Sequence, residues 1–305
     1  MAKRTTQRSA SRKAVSRETL VRKALRHGSG RADAIVAIRK QTRRRGKGVP
    51  GANGVLVAEG DSWFDYPFHD VLGMLEDLHD FRVESVAHKG DTVEEMAYDD
   101  NQLDGLERKM QHLQSDARVP RAVLLSGGGN DIAGDEFAVL LNHRSAALGT
   151  LNAKILDGII NERLRFAYLS VIATITRLSQ IYFNRITPIV IHGYSYPVPD
   201  GRGYLGGAWV LPGPWLEPGF RRKGYLDLRE NTQTMIPLID AFNEMLATIP
   251  QEKGLRHVTY LDVRRILSNE LAGRAYRKSW ENELHPTKAG FEAVAGEFSR
   301  VVMGL

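Results

Sequence analysis

From Val55 onward the chain alternates short, nearly unbroken apolar runs with longer amphipathic stretches, a rhythm that few architectures accept. Runs such as Ala122-Val123-Leu124-Leu125 and Ile189-Val190-Ile191 suit strands buried on both faces, as in parallel sheets covered by helices. The pattern predicts strands over Val55–Glu59, Phe81–Ala87, Arg121–Ser126, Pro188–His192 and His257–Asp262. It predicts helices over Pro67–Leu78, Thr92–Leu113, Asn161–Phe183, Arg229–Thr248 and Thr287–Val302. Such alternation makes an α/β chain with a doubly wound, mostly parallel sheet and helices on both faces. In such sheets chemistry collects beyond the carboxyl ends of the strands.

Three polar motifs punctuate that edge. Gly60-Asp61-Ser62-Trp63 closes the first run, and Ser126-Gly127-Gly128-Gly129-Asn130-Asp131 closes the third. Far downstream stands Trp280-Glu281-Asn282-Glu283-Leu284-His285-Pro286-Thr287. A serine hydroxyl is a weak nucleophile at neutral pH and needs a base within hydrogen-bond reach. Histidine suits that task because its pKa lies near the working pH. The tetrahedral intermediate then needs donors aimed at its oxyanion. Ser62 can supply the nucleophile and one backbone N–H, His285 the base, and Asn130 a side-chain N–H. Gly90, where the second strand ends, offers a further backbone donor. Each piece alone is unspecific. Gly-Asp-Ser is commonly a simple turn. The triple glycine before Asn130 could be a phosphate turn, but the lysine of a phosphate loop is missing.

Taken in order, Gly60-Asp61-Ser62, Gly90, Gly128-Gly129-Asn130-Asp131 and His285-Pro286 resemble the sequence blocks of the SGNH hydrolase family, also called GDSL-type esterases and lipases. The resemblance covers roughly residues 55–300. It implies a flavodoxin-like three-layer α/β/α sandwich. It implies Ser62 as nucleophile, His285 as base, and an oxyanion hole built from the Ser62 N–H, the Gly90 N–H and the Asn130 side chain. No metal or organic cofactor is expected for the chemistry. One departure stands out: the family usually places an aspartate three residues before the histidine, and this chain has Asn282, flanked by Glu281 and Glu283. In a serine triad that change has cost about four orders of magnitude in turnover, largely through the wrong tautomer. Three readings stay open: Glu283 or Glu281 substitutes, Asn282 or a backbone carbonyl orients His285 in a dyad-like site, or the enzyme is slow or inactive.

One stretch breaks the alternation. Residues 194–225 are rich in glycine, proline and aromatics, including Tyr204, Trp209 and Trp215. A long connection after a strand reads as a substrate-facing wall over the active edge, with those three aromatics as candidate substrate contacts. An ordered surface excursion is the plain alternative. Asp61 and Asp131 read as braces for their turns, and His88 and His192 as structural histidines at strand ends.

Charge divides the chain in two. Residues 1–48 carry a net charge of +14 and the remainder −8, so an acidic body, residues 51–305, follows a basic arm and linker, residues 1–50. The arm holds a short helical run, Glu18–Arg26, stopped near Gly28 and Gly30, and a second from Ala32 to Thr42. It could contact nucleic acid or anionic membrane, trail as a solvated tail, or dock on the body. The sequence has no cysteine, which excludes disulfides, thiolate metal sites and a cysteine nucleophile. With no bilayer-length apolar run and no secretory signal, cytoplasmic residence is the default expectation, unconventional export remaining open. The expected activity is hydrolysis of a carboxylic ester, either a lipid ester or an acetylated saccharide, through a Ser62 acyl-enzyme. An acyltransferase using the same site, or an eroded binding protein acting through its basic arm, are the rival expectations.

Overall fold

The structure, a computed structural model, describes residues 16–39, 51–204 and 212–305. Five strands, β1 (Val55–Glu59), β2 (Arg82–Ser85), β3 (Ala122–Leu125), β4 (Ile189–His192) and β5 (Val258–Leu261), form one sheet in the order β2-β1-β3-β4-β5. Every pairing is parallel; Leu56 of β1 faces Val83 of β2 on one side and Ala122 of β3 on the other. The three central strands are buried along their whole length, which is why their sequences read as continuous apolar runs. The edge strands β2 and β5 are only partly buried and more polar.

Helices cover both faces. α2 (Val71–His79) packs on α10 (Lys288–Met303), while α4 (Asp100–Ser115) and α3 (Val93–Tyr98) pack on α7 (Arg165–Phe183). The short helices α5 (Gly129–Ile132) and α8 (Glu217–Arg222) follow β3 and β4, and α9 (Leu228–Thr248) lies against β4. Right-handed crossovers require this division, since the chain leaves β1 toward β2 and then crosses back to β3. The reversal opens a crevice beyond β1 and β3, the place where such sheets bind ligands.

Helix boundaries differ from the sequence reading for local reasons. The first predicted helix starts only at Val71, where the Asp70 side chain caps it by accepting from the Gly73 N–H at 2.7 Å. Residues 63–70 are thereby freed to form a wall of the site. The stretch from Thr92 to Leu113 is two helices, broken where Asp99 turns extended and caps α4 through the Asn101 N–H. α7 is preceded without interruption by α6 (Ala153–Asp157) and a π-helical turn over Gly158–Leu164.

The largest correction concerns the basic segment. Residues Arg17–Arg39 form one continuous helix, α1, docked on α7, and neither Gly28 nor Gly30 ends it. Val21, Ala24, Gly28 and Ala32 make its buried stripe, with Arg22, Lys23 and Arg26 facing outward. A Cβ at Gly28 would stand 2.0 Å from the Ser170 carbonyl oxygen, so the glycine serves close helix approach. Thr174 Oγ1 donates to the Gly28 carbonyl at 3.0 Å across the same contact. The flanking basic runs 1–15 and 40–50 lie outside the described residues. Among the described residues no helix is long and apolar enough to cross a membrane.

Candidate active site

The chain turns sharply after β1, and the turn is built around Asp61. Its buried carboxylate accepts from the Trp63 N–H at 3.0 Å, from Ser126 Oγ at 2.8 Å and from the Tyr194 hydroxyl. Tyr194 in turn accepts from the Gly129 N–H at 3.2 Å, and Tyr168 donates to the Gly127 carbonyl at 2.8 Å. The loops after β1 and β3 are thus tied into one polar cluster under the crevice. Burial pushes the Asp61 carboxyl up, opposed by these three donors. Asp131 braces a longer span than its own turn, accepting from the Val93 N–H at the start of α3 at 2.9 Å.

On this platform Ser62 meets His285. The Nε2 of His285 lies 2.8 Å from Ser62 Oγ, although 223 residues separate them in sequence. On the far side of the ring, Nδ1 stands 2.9 Å from Asn282 Oδ1. That oxygen also accepts the backbone N–H groups of Leu284 at 3.0 Å and His285 at 2.9 Å. Asn282 Nδ2 donates to the Tyr66 hydroxyl at 3.0 Å. Two backbone donors can meet only the amide oxygen, so the network assigns the amide orientation. Nδ1 must then carry the proton, and Nε2 is left as acceptor for the serine hydroxyl. Burial without a neighbouring carboxylate pushes the His285 imidazole down to about 3.

Glu283, the other candidate for orienting His285, does not reach it. Its carboxylate takes four backbone N–H groups, from Gly201, Trp215, Leu216 and Glu217, at 2.7 to 3.1 Å. Burial pushes this carboxyl up to about 7 while those donors pull it down. Its job is to pin the loop that carries Trp215. The chain turns tightly here around the Asn282 side-chain oxygen, so Asn282 faces the ring while Glu283 points to the backbone of residues 201–217. Glu281 lies beyond Tyr66, its Oε1 3.5 Å from the Tyr66 hydroxyl.

Asn130 and Gly90 border the same space as Ser62. Asn130 Nδ2 donates to the Asp91 carbonyl at 2.9 Å, which fixes the amide and leaves its second N–H. Gly90 sits at φ +93, a left-handed conformation that few other residues adopt cheaply. Two spaces flank Ser62. The inner one, about 40 Å³, is apolar and bordered by Ile132, Leu216, Met235, Leu238 and Ile239. The outer one, about 400 Å³, is open and walled by Tyr66, Lys89, Tyr204, Pro212 and Trp215. Of the three aromatics singled out in residues 194–225, Tyr204 and Trp215 line this outer cleft, and the Trp215 and His285 rings meet at 74° with centroids 5.3 Å apart. Trp209 lies outside the described residues. His192 is fully buried among Trp63, Phe64, Tyr194 and Phe298, away from the cleft, and His88 is exposed and paired with Asp91. Among the described residues no group of three or more His, Asp or Glu side chains is placed to hold a metal ion.

Tyr66 and Tyr194 were not singled out from sequence for this site. Tyr66 stands in a stretch with no motif of its own, and Tyr194 reads as one of many aromatics in its loop. The signal for both is positional only: Tyr66 lies four residues after Ser62, and Tyr194 two residues after the end of β4.

Fold and site together define a flavodoxin-like α/β sandwich that presents a serine–histidine pair beyond its switch point. In structure the chain is similar to GDSL-like lipases and SGNH hydrolases. A GDSL-like lipase candidate from Parabacteroides merdae shares 14% identity, covering 85% of this chain and 99% of that one, with a TM-score of 0.44. A GDSL-like lipase from Bacteroides thetaiotaomicron shares 11% identity over 91% of this chain and 98% of its own, with a TM-score of 0.40. A catalytic variant of an acetylxylan esterase from Geobacillus stearothermophilus shares 13% identity over 83% and 95%, with a TM-score of 0.41. No protein-family model matches the chain, and no curated protein does.

Proposed function

We propose that this chain is a serine hydrolase that cleaves carboxylic esters of short acyl groups through a Ser62 acyl-enzyme. The observation that carries the reading is the 2.8 Å contact from Ser62 Oγ to a His285 whose opposite nitrogen is held as a donor by Asn282. In this mechanism Nε2 takes the hydroxyl proton as Ser62 Oγ bonds to the ester carbonyl carbon. The carbonyl electron pair moves to oxygen, where the N–H groups of Ser62 and Gly90 and the free N–H of Asn130 receive it. Collapse breaks the bond to the alcohol, which leaves with the proton from Nε2. Water then repeats the sequence on the acyl-enzyme and restores Ser62.

The two spaces argue the acyl length. An inner cavity of about 40 Å³ has room for only a few heavy atoms, which fits acetyl to butyryl groups. A cleft ten times larger, with aromatic walls, suits the alcohol part. Hydrolysis of p-nitrophenyl acetate, butyrate and octanoate tests both claims. We expect turnover of the two short esters, little of the octanoate, and loss of at least ~10³-fold in Ser62→Ala. Activity that survives Ser62→Ala would remove the nucleophile from the proposal. A preference for octanoate would remove the short-acyl assignment alone.

A further inference from the structure

The ring of Tyr66 lies almost parallel to the imidazole of His285, centroid to centroid 4.1 Å at 16°. Its hydroxyl is also the acceptor that holds the Asn282 amide, at 3.0 Å from Nδ2. One side chain therefore touches both partners of a unit that lacks a carboxylate. We propose that Tyr66 is the positioning residue that takes over the carboxylate's two tasks, its ring face supporting the imidazolium of His285 and its hydroxyl fixing the Asn282 amide. This rests on the serine-hydrolase reading above.

When Nε2 takes the Ser62 proton, the ring acquires a full positive charge on a residue that is only 5% exposed. An aromatic face attracts such a cation, and the attraction is greatest where water is excluded. The stack is already made in the neutral state, so it costs no rearrangement at the moment of transfer. The charged groups nearby do not replace it. Glu281 faces the Tyr66 hydroxyl at 3.5 Å, and Glu283 spends both oxygens on backbone N–H groups. Lys89 lines the same cleft with a charge of the wrong sign, and Asp91 pairs with His88. Neither Tyr204 nor Trp215 stacks on the imidazole: Tyr204 meets Tyr66 at 81° and Trp215 meets His285 at 74°, against 16° for Tyr66. Burial keeps the Tyr66 phenol protonated, so its oxygen stays a neutral acceptor for Asn282.

The two tasks separate by mutation. Tyr66→Phe keeps the ring and removes the acceptor; Tyr66→Leu removes both, and Tyr66→Met is carried beside it as a second ring-free variant that fills the space flexibly. Each full-length protein is reacted with a fluorophosphonate, and the His285 ring protons and nitrogens of the Ser62 adduct are titrated by NMR, alongside kcat on p-nitrophenyl acetate. We expect the adduct imidazolium of Tyr66→Phe to titrate with wild type, and kcat to fall about threefold. In the Leu and Met variants we expect the imidazolium pKa to fall by about one pH unit and kcat by about thirtyfold. Ring-free variants that titrate with wild type, or higher, overturn the role of Tyr66 while leaving the nucleophile intact. Failure of the wild type to form any adduct overturns the serine-hydrolase reading, and this inference with it.

Discussion

Asn282 accepts three hydrogen bonds through one oxygen, and that crowding decides what its amide can offer His285. The danger of asparagine beside a catalytic histidine is an amide that presents its NH₂ group and forces the wrong tautomer. The backbone N–H groups of Leu284 and His285 close that option. What asparagine still omits is charge, so nothing offsets the burial that pushes the imidazole down to about 3. Asn282→Asp restores a negative charge against Nδ1, and the Tyr66 hydroxyl can turn to donate to it. An adjacent anion favours the imidazolium. The acid limb of kcat/KM should therefore move to higher pH, and kcat at neutral pH should rise about three- to tenfold. A pH–rate profile of both proteins checks this, and an acid limb that stays in place would separate Asn282 from the histidine. Much of this site was legible in sequence because Ser62 and Asn130 sit in motifs just after β1 and β3, and His285 in a motif just before the last helix. The choice between Asn282 and Glu283 was not, since it depends on which of two adjacent side chains the loop turns inward.

Gly28 and Gly30 are two residues apart in α1 and look alike in sequence, yet the packing treats them oppositely. A Cβ at Gly28 would fall 2.0 Å from the Ser170 carbonyl oxygen, whereas nothing lies within 4 Å of one at Gly30. Gly28→Ala must therefore push α1 away from α7, at a cost of about 1–3 kcal/mol from overpacking. Gly30→Ala gains helix propensity in a solvated position and should stabilise by about 0.5–1 kcal/mol. Urea unfolding of the two variants checks the pair; the same sign for both would mean that α1 does not dock as described. Strand cores were readable because burial on two faces leaves an apolar run. A docked helix with a narrow stripe of Val21, Ala24, Gly28 and Ala32 gives almost no amphipathic signal, and its glycines read as stops. The break at Asp99 was hidden similarly, because a cap inside a helical pattern looks like one polar residue among others.

Across the whole molecule, the interior buries titratable groups of both signs, and their effects on stability with pH oppose one another. His192 is enclosed by four aromatic rings and burial pushes it down to about 4. Between pH 4 and 6.5 the unfolded chain therefore binds a proton there that the folded chain refuses. Stability from this group is present above the unfolded value and lost as pH falls, by about 2 kcal/mol between pH 7 and pH 5. Glu59, Asp61, Asp131 and Glu283 are raised by burial, Asp131 and Glu283 to about 7. Their contribution has the other sign: it is present at low pH and lost as pH rises through the folded values. The raw curve of the wild type is thus a sum of opposed slopes, and only a difference between proteins isolates one group. His192→Phe keeps an aromatic ring in the cage and removes the titration. Relative to wild type its unfolding free energy should gain about 2 kcal/mol on going from pH 7 to pH 5, whatever the absolute trend of either protein. Urea unfolding at the two pH values measures that difference. Parallel behaviour of the two proteins would mean that His192 accepts its proton in the folded state, and the closed aromatic cage under the active edge would have to open to water.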